Sequence, residues 1–457
     1  MAQRLFFERA LLPGGWANNV RLTLDGGTIR AVEAGADAEG CERLAGAAVP
    51  GVPNLHSHAF QRGMAGMTEV RGPAADSFWT WRAAMYRFLA RLGPEQVEAI
   101  AAYAYMRMLE AGYTGVAEFH YLHHDPAGRP YADPGEMAAR VLAAAVQTGI
   151  RLTLLPVLYA HGGFGGQPPA DGQRRFVNGP DRFVALVERA RALAGLVPGA
   201  RVGLAYHSLR AVTFAEMEAV GSALGEEAAA IHIHVAEQEK EVADCLAATG
   251  ARPVALLLDR APVDGRWCLV HATHMTPEEA AALAGSGAVA GLCPTTEANL
   301  GDGLFDAPRF LAAGGRFGVG SDSNMETDPA AELRLLEYGQ RLRDRSRNVL
   351  AEGEGAATGA RLFAAAVAGG AQACGQPVAG LAPGAPADIV VLDADHPDLA
   401  GLAPAQWLDG WIFVAGPSLV RTVFAGGRRV VIEGRHVRRD EIVIRWRAAV
   451  GRLRADG

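Results

Sequence analysis

The chain has 457 residues, 50% of them hydrophobic and 20% charged, which excludes a disordered or fibrous protein and at this length suggests two or three domains. A formal net charge of -7 argues against a basic nucleic-acid surface, and the lack of any run of about 18 apolar residues argues against a membrane span. The five cysteines are scattered and never paired as CxxC, so a reduced, cytoplasmic chain without a disulfide framework is expected; the opening MAQRLFFERALLPGG also lacks an apolar stretch of signal-peptide length.

In chain order, the first fifty residues read as short strands. RLFFERALL is followed by a Pro-Gly-Gly turn and then by NVRLTLDGGTIRAVEAG. From about 50 to 370, apolar and mostly β-branched runs occur at 48–55, 114–119, 151–159, 201–206, 230–235, 267–272, 288–293 and 316–321. Most are separated by enough chain for a helical return, which predicts a (β/α)8 barrel. The first gap is the longest, and DSFWTWRAAMYRFLARL within it reads as extra loop. A helix comes next, with Pro94 in its first turn, apolar residues at three- and four-residue spacing, and Gly112 as its stop. The Ala/Gly-rich stretch 352–385 reads as the last barrel helix and its return. The tail, with ADIVVLDAD, LVRTVFAGGRRVVIEG and EIVIRWR, has the strand-and-turn texture of the beginning. The expected architecture is α/β: a TIM-like barrel over 49–380, with a small β-sandwich domain made from 1–48 plus 381–457.

Eleven of the 13 histidines lie between 56 and 274, and their places on the eight runs matter most. His56 and His58 follow the first run, His234 ends the fifth, His271 ends the sixth and Asp322 follows the eighth. These are C-terminal strand ends, where barrel enzymes assemble their sites. Positions i and i+2 of an extended segment share a side, so His56 and His58 can offer two imidazoles to one metal. His234 is the expected third ligand, with Glu237 three residues on as an acid-base partner; His232 reads as a hydrogen-bonded core histidine. Three imidazoles and a carboxylate suit zinc with one position left for water. Lys240, the only lysine among 43 basic residues, lies where a bridging lysine is not expected, so one divalent metal is predicted, with zinc favoured.

These motifs (PNLHSH, HVAE, VHATH and SDS, with the tail GLAPGAPADIVVLD) resemble the amidohydrolase superfamily, in its mononuclear deaminase-type branch. The resemblance implies that His56, His58, His234 and Asp322 bind the metal. It also implies that Glu237 and His271 handle protons and polarise the substrate, while Asp322 orients and deprotonates the attacking water. Further segments, NLHSHAFQRGMAG, DSFWTWR, VAEFHYLHHD, HSLRAV and CPTTEANLGDG, narrow the resemblance. They imply hydrolysis of N-formimidoyl-L-glutamate to N-formyl-L-glutamate and ammonia, in histidine degradation. Gln61, Arg82, Tyr121, His207 and Arg210 are the implied substrate shell, with Arg82 and Arg210 suited to a small dicarboxylate through bidentate charge-assisted bonds. A homodimer is common in the resembled family, and no nucleic-acid or membrane partner is expected. Two other readings stay open from the residues: a deaminase of a ring substrate such as guanine, cytosine or an adenosine derivative, and a non-catalytic barrel kept for binding or assembly.

Overall fold

The computed structural model describes residues 2–72, 76–225 and 230–455. Four strands open the chain, β1 (Gln3–Leu12), β2 (Gly15–Asp25), β3 (Thr28–Glu33) and β4 (Glu42–Pro50). Nine more lie in the middle: β5 (Val52–Ser57), β6 (Tyr113–His120), β7 (Arg151–Leu158), the two-residue β8 (Arg201–Val202), β9 (Leu204–Ser208), β10 (Ile231–Val235), β11 (Trp267–His271), β12 (Val289–Leu292) and β13 (Arg316–Val319). The tail adds β14 (Ile389–Leu392), β15 (Val420–Ala425), β16 (Arg428–Ile432) and β17 (Arg435–His436). Seven helices surround or support the barrel at the places that matter for its site. They are α1 (Phe78–Leu89), α2 (Pro94–Ala111), α3 (Glu239–Thr249), α4 (Pro277–Ser286), α5 (Pro294–Leu300), α6 (Thr358–Ala373) and α7 (Arg439–Ala455).

The middle strands pair in parallel in the order β13-β12-β11-β10-β9-β7-β6-β5, with β8 beside β7. A Ser57–Asp322 bridge joins the two ends of that path: His58 N donates to Asp322 O (2.8 Å) and Asp322 N donates to His56 O (2.9 Å). The ring is thereby closed just beyond β5 and β13, and the barrel is TIM-like as the eight runs predict. Burial of both faces accounts for strands that are mostly apolar, such as β6 and β7.

The terminal strands form one hydrogen-bonded path, β17-β16-β15-β14-β4-β1-β2-β3, in which β1 and β4 are parallel and the other pairs antiparallel. Its far edge returns to the start of β14, where Ile29 N donates to Ala385 O. Leu5, Phe7, Val20, Leu22, Ile389, Val391 and Phe424 pack into the core enclosed there. A largely buried ion pair, Arg151–Asp388 at 2.7 Å, ties the foot of β7 to this sheet.

Two segments differ from their sequence reading. DSFWTWRAAMYRFL is the helix α1: the Ser77 hydroxyl accepts from Trp79 N (3.3 Å) and the Thr80 hydroxyl accepts from Ser77 N (3.0 Å), a reciprocal cap that starts it. EIVIRWR lies in the helix α7, with Ile442, Trp446, Val450 and Leu453 at helical spacing. This helix leaves the sheet and packs on α2 of the barrel, where Trp446 stacks on Tyr103 at 4.3 Å and Arg445 pairs with Glu98 at 2.6 Å. Among the described residues no helix is long and apolar enough to cross a membrane.

Helix α6 crosses the closing seam through two glycines. A Cβ on Gly369 would collide with the Phe317 carbonyl of β13, and one on Gly370 would stand 2.8 Å from Pro53 O of β5. Gly369→Ala is therefore expected to lower stability by about 3 kcal/mol. Gly285→Ala is the control: it is exposed on α4 with nothing near its Cβ, and should be neutral or stabilising by about 0.5 kcal/mol. Chemical denaturation of both variants reads the difference, and equal midpoints would refute the close-approach argument.

Candidate metal centre and active site

The end of β5 puts His56 and His58 on one side and Ser57 on the other, as an extended segment requires. His56 Nε2 lies 3.2 Å from His58 Nε2 and 3.0 Å from His234 Nε2. Asp322 Oδ1 lies 3.4 Å from His56 Nε2 and 3.2 Å from His58 Nε2. All four residues are buried, and their donor atoms fall within 4.8 Å of one another.

This crowding fits a cation. The Phe119 carbonyl can only accept, so His58 Nδ1, 3.1 Å away, carries the proton and its Nε2 carries a lone pair. Burial pushes His56 down to about 3, and burial with His56 beside it pushes His234 well below the usual imidazole range. Burial works against the Asp322 charge, but its close contacts with His56 and His58 hold this carboxyl well below its ordinary range. Neutral nitrogens and one carboxylate converging on a point are a zinc-type donor set. Lys240 stands apart from it, 57% exposed and paired with Asp244 at 2.7 Å.

A directional chain of buried hydrogen bonds holds the two halves of the site together. Asn54 Nδ2 donates to Ser321 Oγ (2.6 Å), Ser321 Oγ to Asn324 Oδ1 (2.6 Å), Asn324 Nδ2 to Ser57 Oγ (3.1 Å) and Ser57 Oγ to Glu118 Oε2 (2.8 Å). Glu118 also accepts from Ala59 N at 2.7 Å, and burial raises its carboxyl to about 7. Ala236, His271, Ala272, Asp322 and Asn324 all have positive φ. Backbone of this kind in non-glycine residues is costly and collects where a site demands it.

His271 ends β11 with Nε2 3.8 Å from Glu237 Oε1 and 3.9 Å from Asp322 Oδ2, and with Nδ1 3.3 Å from Glu297 Oε1. Burial opposes a charge on this ring, yet the three carboxylates prevail and push it up to about 10. Burial raises Glu237, against the pull of His271 and Arg210. A carboxyl that readily holds a proton thus faces an imidazole that does too.

These groups open onto one cavity, with about 560 Å³ of empty space counted out into open solvent. Gln61, Arg82, Tyr121, His207 and Arg210 all line it, together with His58, His234, Glu237, His271 and Asp322. His56 sits behind them, fully buried. Gln61 Nε2 donates to the Tyr121 hydroxyl (3.0 Å), while Gln61 Oε1 is buried without a partner. Arg82, on α1, lies 4.4 Å from the centre of the Trp79 ring. Arg210 Nε has no hydrogen-bond partner, and Glu241 Oε1 stands 3.9 Å from it. Burial and Arg210 hold His207 well below the imidazole range.

Other residues take places that differ from, or go beyond, the sequence reading. Phe78 and Trp81 line the cavity from α1 rather than packing within a loop. Glu297, which lies within CPTTEANLGDG but has no role assigned there, buttresses His271, and Tyr86, Tyr159 and Phe176 form a wall. Glu118 and Asn324 did leave a signal, as polar residues inside or beside apolar strand ends. His232 Nε2 donates to Ala373 O (2.8 Å), away from the four-donor cluster. His123, His124 and His274 likewise bond backbone carbonyls, and His161 bonds Glu216.

Comparison with known proteins agrees with this geometry. Residues 47–430 match the amidohydrolase family, and residues 3–46 match the N-terminal domain of formimidoylglutamate deiminase HutF. A formimidoylglutamate deiminase of Pseudomonas aeruginosa is 56% identical over 94% of this chain and 95% of its own. A 5-methylthioadenosine/S-adenosylhomocysteine deaminase of Natronomonas pharaonis is 28% identical over 88% of this chain and 84% of its own. Among solved structures, an amidohydrolase from Brucella melitensis superposes with a TM-score of 0.95 at 53% identity, covering 99% of both chains. A zinc-bound adenosine deaminase from Xanthomonas campestris shares the fold, with a TM-score of 0.80 at 22% identity over 99% of this chain and 98% of its own. The chain belongs to the amidohydrolase family, and within it to the formimidoylglutamate deiminases.

Proposed function

We propose that this enzyme hydrolyses the C=N bond of N-formimidoyl-L-glutamate, giving N-formyl-L-glutamate and ammonia, as a step of histidine degradation. The observation that carries the reading is one cavity holding both a four-donor cluster with its proton-handling pair and two guanidinium groups, those of Arg82 and Arg210. The 56% identity to an enzyme of that name supports it. A ring substrate offers no pair of carboxylates to two arginines.

His56, His58, His234 and Asp322 would hold a single divalent cation, zinc by donor chemistry, which when bound supplies Lewis-acid activation of water near neutral pH. The chain's own groups do the remaining work. Asp322 Oδ2 and His271 Nε2, 3.9 Å apart, orient the attacking water, and Asp322 takes its proton. His271, kept charged by Glu237, Glu297 and Asp322, stabilises negative charge developing on the oxygen. Glu237 delivers a proton to the imino nitrogen and later takes one back from the hydroxyl of the tetrahedral carbon. Asp322 passes the water's first proton to the same nitrogen, so that the C–N bond breaks, ammonia leaves, the C=O forms and both carboxyls are reset. The Gln61 carbonyl oxygen accepts from a substrate N–H, which gives its unpaired lone pairs a partner. Arg82 and Arg210 hold the two carboxylates.

Loss of a general acid or base typically costs about 10²–10⁴-fold. Asp322→Asn, His271→Asn and Glu237→Gln are each expected to lower kcat for ammonia release by that order; near-native turnover by cation-loaded Asp322→Asn would sink the mechanism. Arg210→Met should lower kcat/KM by about 10–100-fold, the worth of one charge-assisted hydrogen bond. The deficit should shrink for N-formimidoylglycine, which lacks the side-chain carboxylate, if Arg210 holds that group, and stay equal if it holds the α-carboxylate; no deficit on either substrate would remove Arg210 from substrate recognition. For the cation, His234→Ala should purify with little bound metal and His232→Gln with a full complement. Elemental analysis decides, and the reverse pattern would move the third ligand to His232.

A further inference from the structure

A second group of metal-ligating side chains lies against the first. One nitrogen of His271, the sulfur of Cys293 and a carboxylate oxygen of Asp322 fall within 4.8 Å of one another, all buried. Asp322 faces two ways: Oδ1 points at His56 and His58 (3.4 and 3.2 Å), whereas Oδ2 is the oxygen nearer His271 Nε2 (3.9 Å). Glu237 Oε1 stands 3.8 Å from the same nitrogen. The proposed reaction uses His271, Glu237 and Asp322 but has no task for the Cys293 thiol. That residue is fully buried between β12 and α5, and its backbone N–H already serves Glu297 Oε1 (3.0 Å). No hydrogen bond to its sulfur is found among the described residues.

We propose that His271, Cys293 and the Oδ2 side of Asp322 form a second, inhibitory cation site for a thiophilic divalent ion such as zinc or cadmium. Soft sulfur beside imidazole selects such ions over magnesium or calcium. As the metal–sulfur bond forms, the Cys293 thiol releases its proton to solvent, and the binding nitrogen of His271 releases its own to present a lone pair. The cation then occupies the groups that orient the attacking water and shuttle its proton, so turnover stops. Asp322 bridges the two ions, a separation of about 3.5–4 Å being usual for paired metals. A productive two-metal centre of this fold would want a bridging lysine, and the only lysine is on the exposed face of α3, paired with Asp244. The second ion is therefore an obstruction and not a helper. The inhibition rests on the proposed catalytic reaction, but cation binding does not and is read separately.

The test uses the whole chain carrying one equivalent of zinc, titrated with Co²⁺ while absorption and ammonia release are followed. The expected result is a second equivalent bound, a near-ultraviolet thiolate-to-cobalt charge-transfer band, and activity falling in step with that band. Cys293→Ser and Cys293→Ala should keep basal activity and lose the band. Their half-inhibitory Co²⁺ concentration should rise by at least the about 10–100-fold that loss of a merely supporting group costs a metal site. Absence of the band in the native chain at saturating Co²⁺ overturns the proposal, whether or not the variants fold. So does a band or an inhibition that persists unchanged in both variants. A sulfur-ligated second equivalent without any turnover of N-formimidoyl-L-glutamate would instead sustain the site and refute the reaction.

Discussion

The bridge between Ser57 and Asp322 is the contact on which the rest of the molecule depends. A parallel barrel has no edge only when its first and last strands meet, and here they meet through His56 O, Asp322 N, Asp322 O and His58 N. The same two peptide hydrogen bonds fix the positions from which His56, His58 and Asp322 project. Closing the ring and gathering the donors are thus one geometric event. The glycines of α6 let a helix lie flush over that seam, and the Asn54–Ser321–Asn324–Ser57–Glu118 chain satisfies its buried polar groups. Break the seam and the ligands lose their common focus.

Electrostatics in the site work by separation. Burial strips His56 and His234 of any tendency to charge, whereas three surrounding carboxylates give His271 the opposite character. Imidazoles of one chemical type, a few ångströms apart, are therefore suited by their surroundings alone to the different roles proposed for them, ligand or proton handling. Asp322 belongs to both sets, with one oxygen toward each. That double allegiance makes it the hinge of the proposed chemistry.

Much of this was legible in the chain itself. Eight apolar runs announced the barrel because strands buried on both faces have little freedom in composition. Strand-end histidines and Asp322 stood out because polar residues in such runs need a reason. The features that stayed hidden are of another kind. Helix α1 hid in a long gap because its signal is local, a Ser77–Thr80 cap and a few aromatic residues, and the gap's length favoured loop. The final helix was masked by β-branched residues, whose spacing in fours around Trp446 reveals its face only beside α2. Glu297 could not be assigned, since its contact with His271 is made across 26 residues of chain. The terminal strands promised a sheet, but which end pairs with which is a long-range matter that alternation does not encode.

The span of the seam has a consequence for how the molecule comes into being. Asn324 reaches back 267 positions to Ser57, so closing the ring means forfeiting the freedom of most of the chain at once. Pairings this remote are slow to form and reward the chain only when nearly complete. A ribosome releasing this polypeptide exposes His56 and His58 early and Asp322 late. Until then the two histidines have neither their carboxylate nor their neighbour strand. No amino-terminal fragment, however long, can assemble the four donors before the eighth strand emerges, so the proposed ion capture would be a late event in the life of the nascent chain.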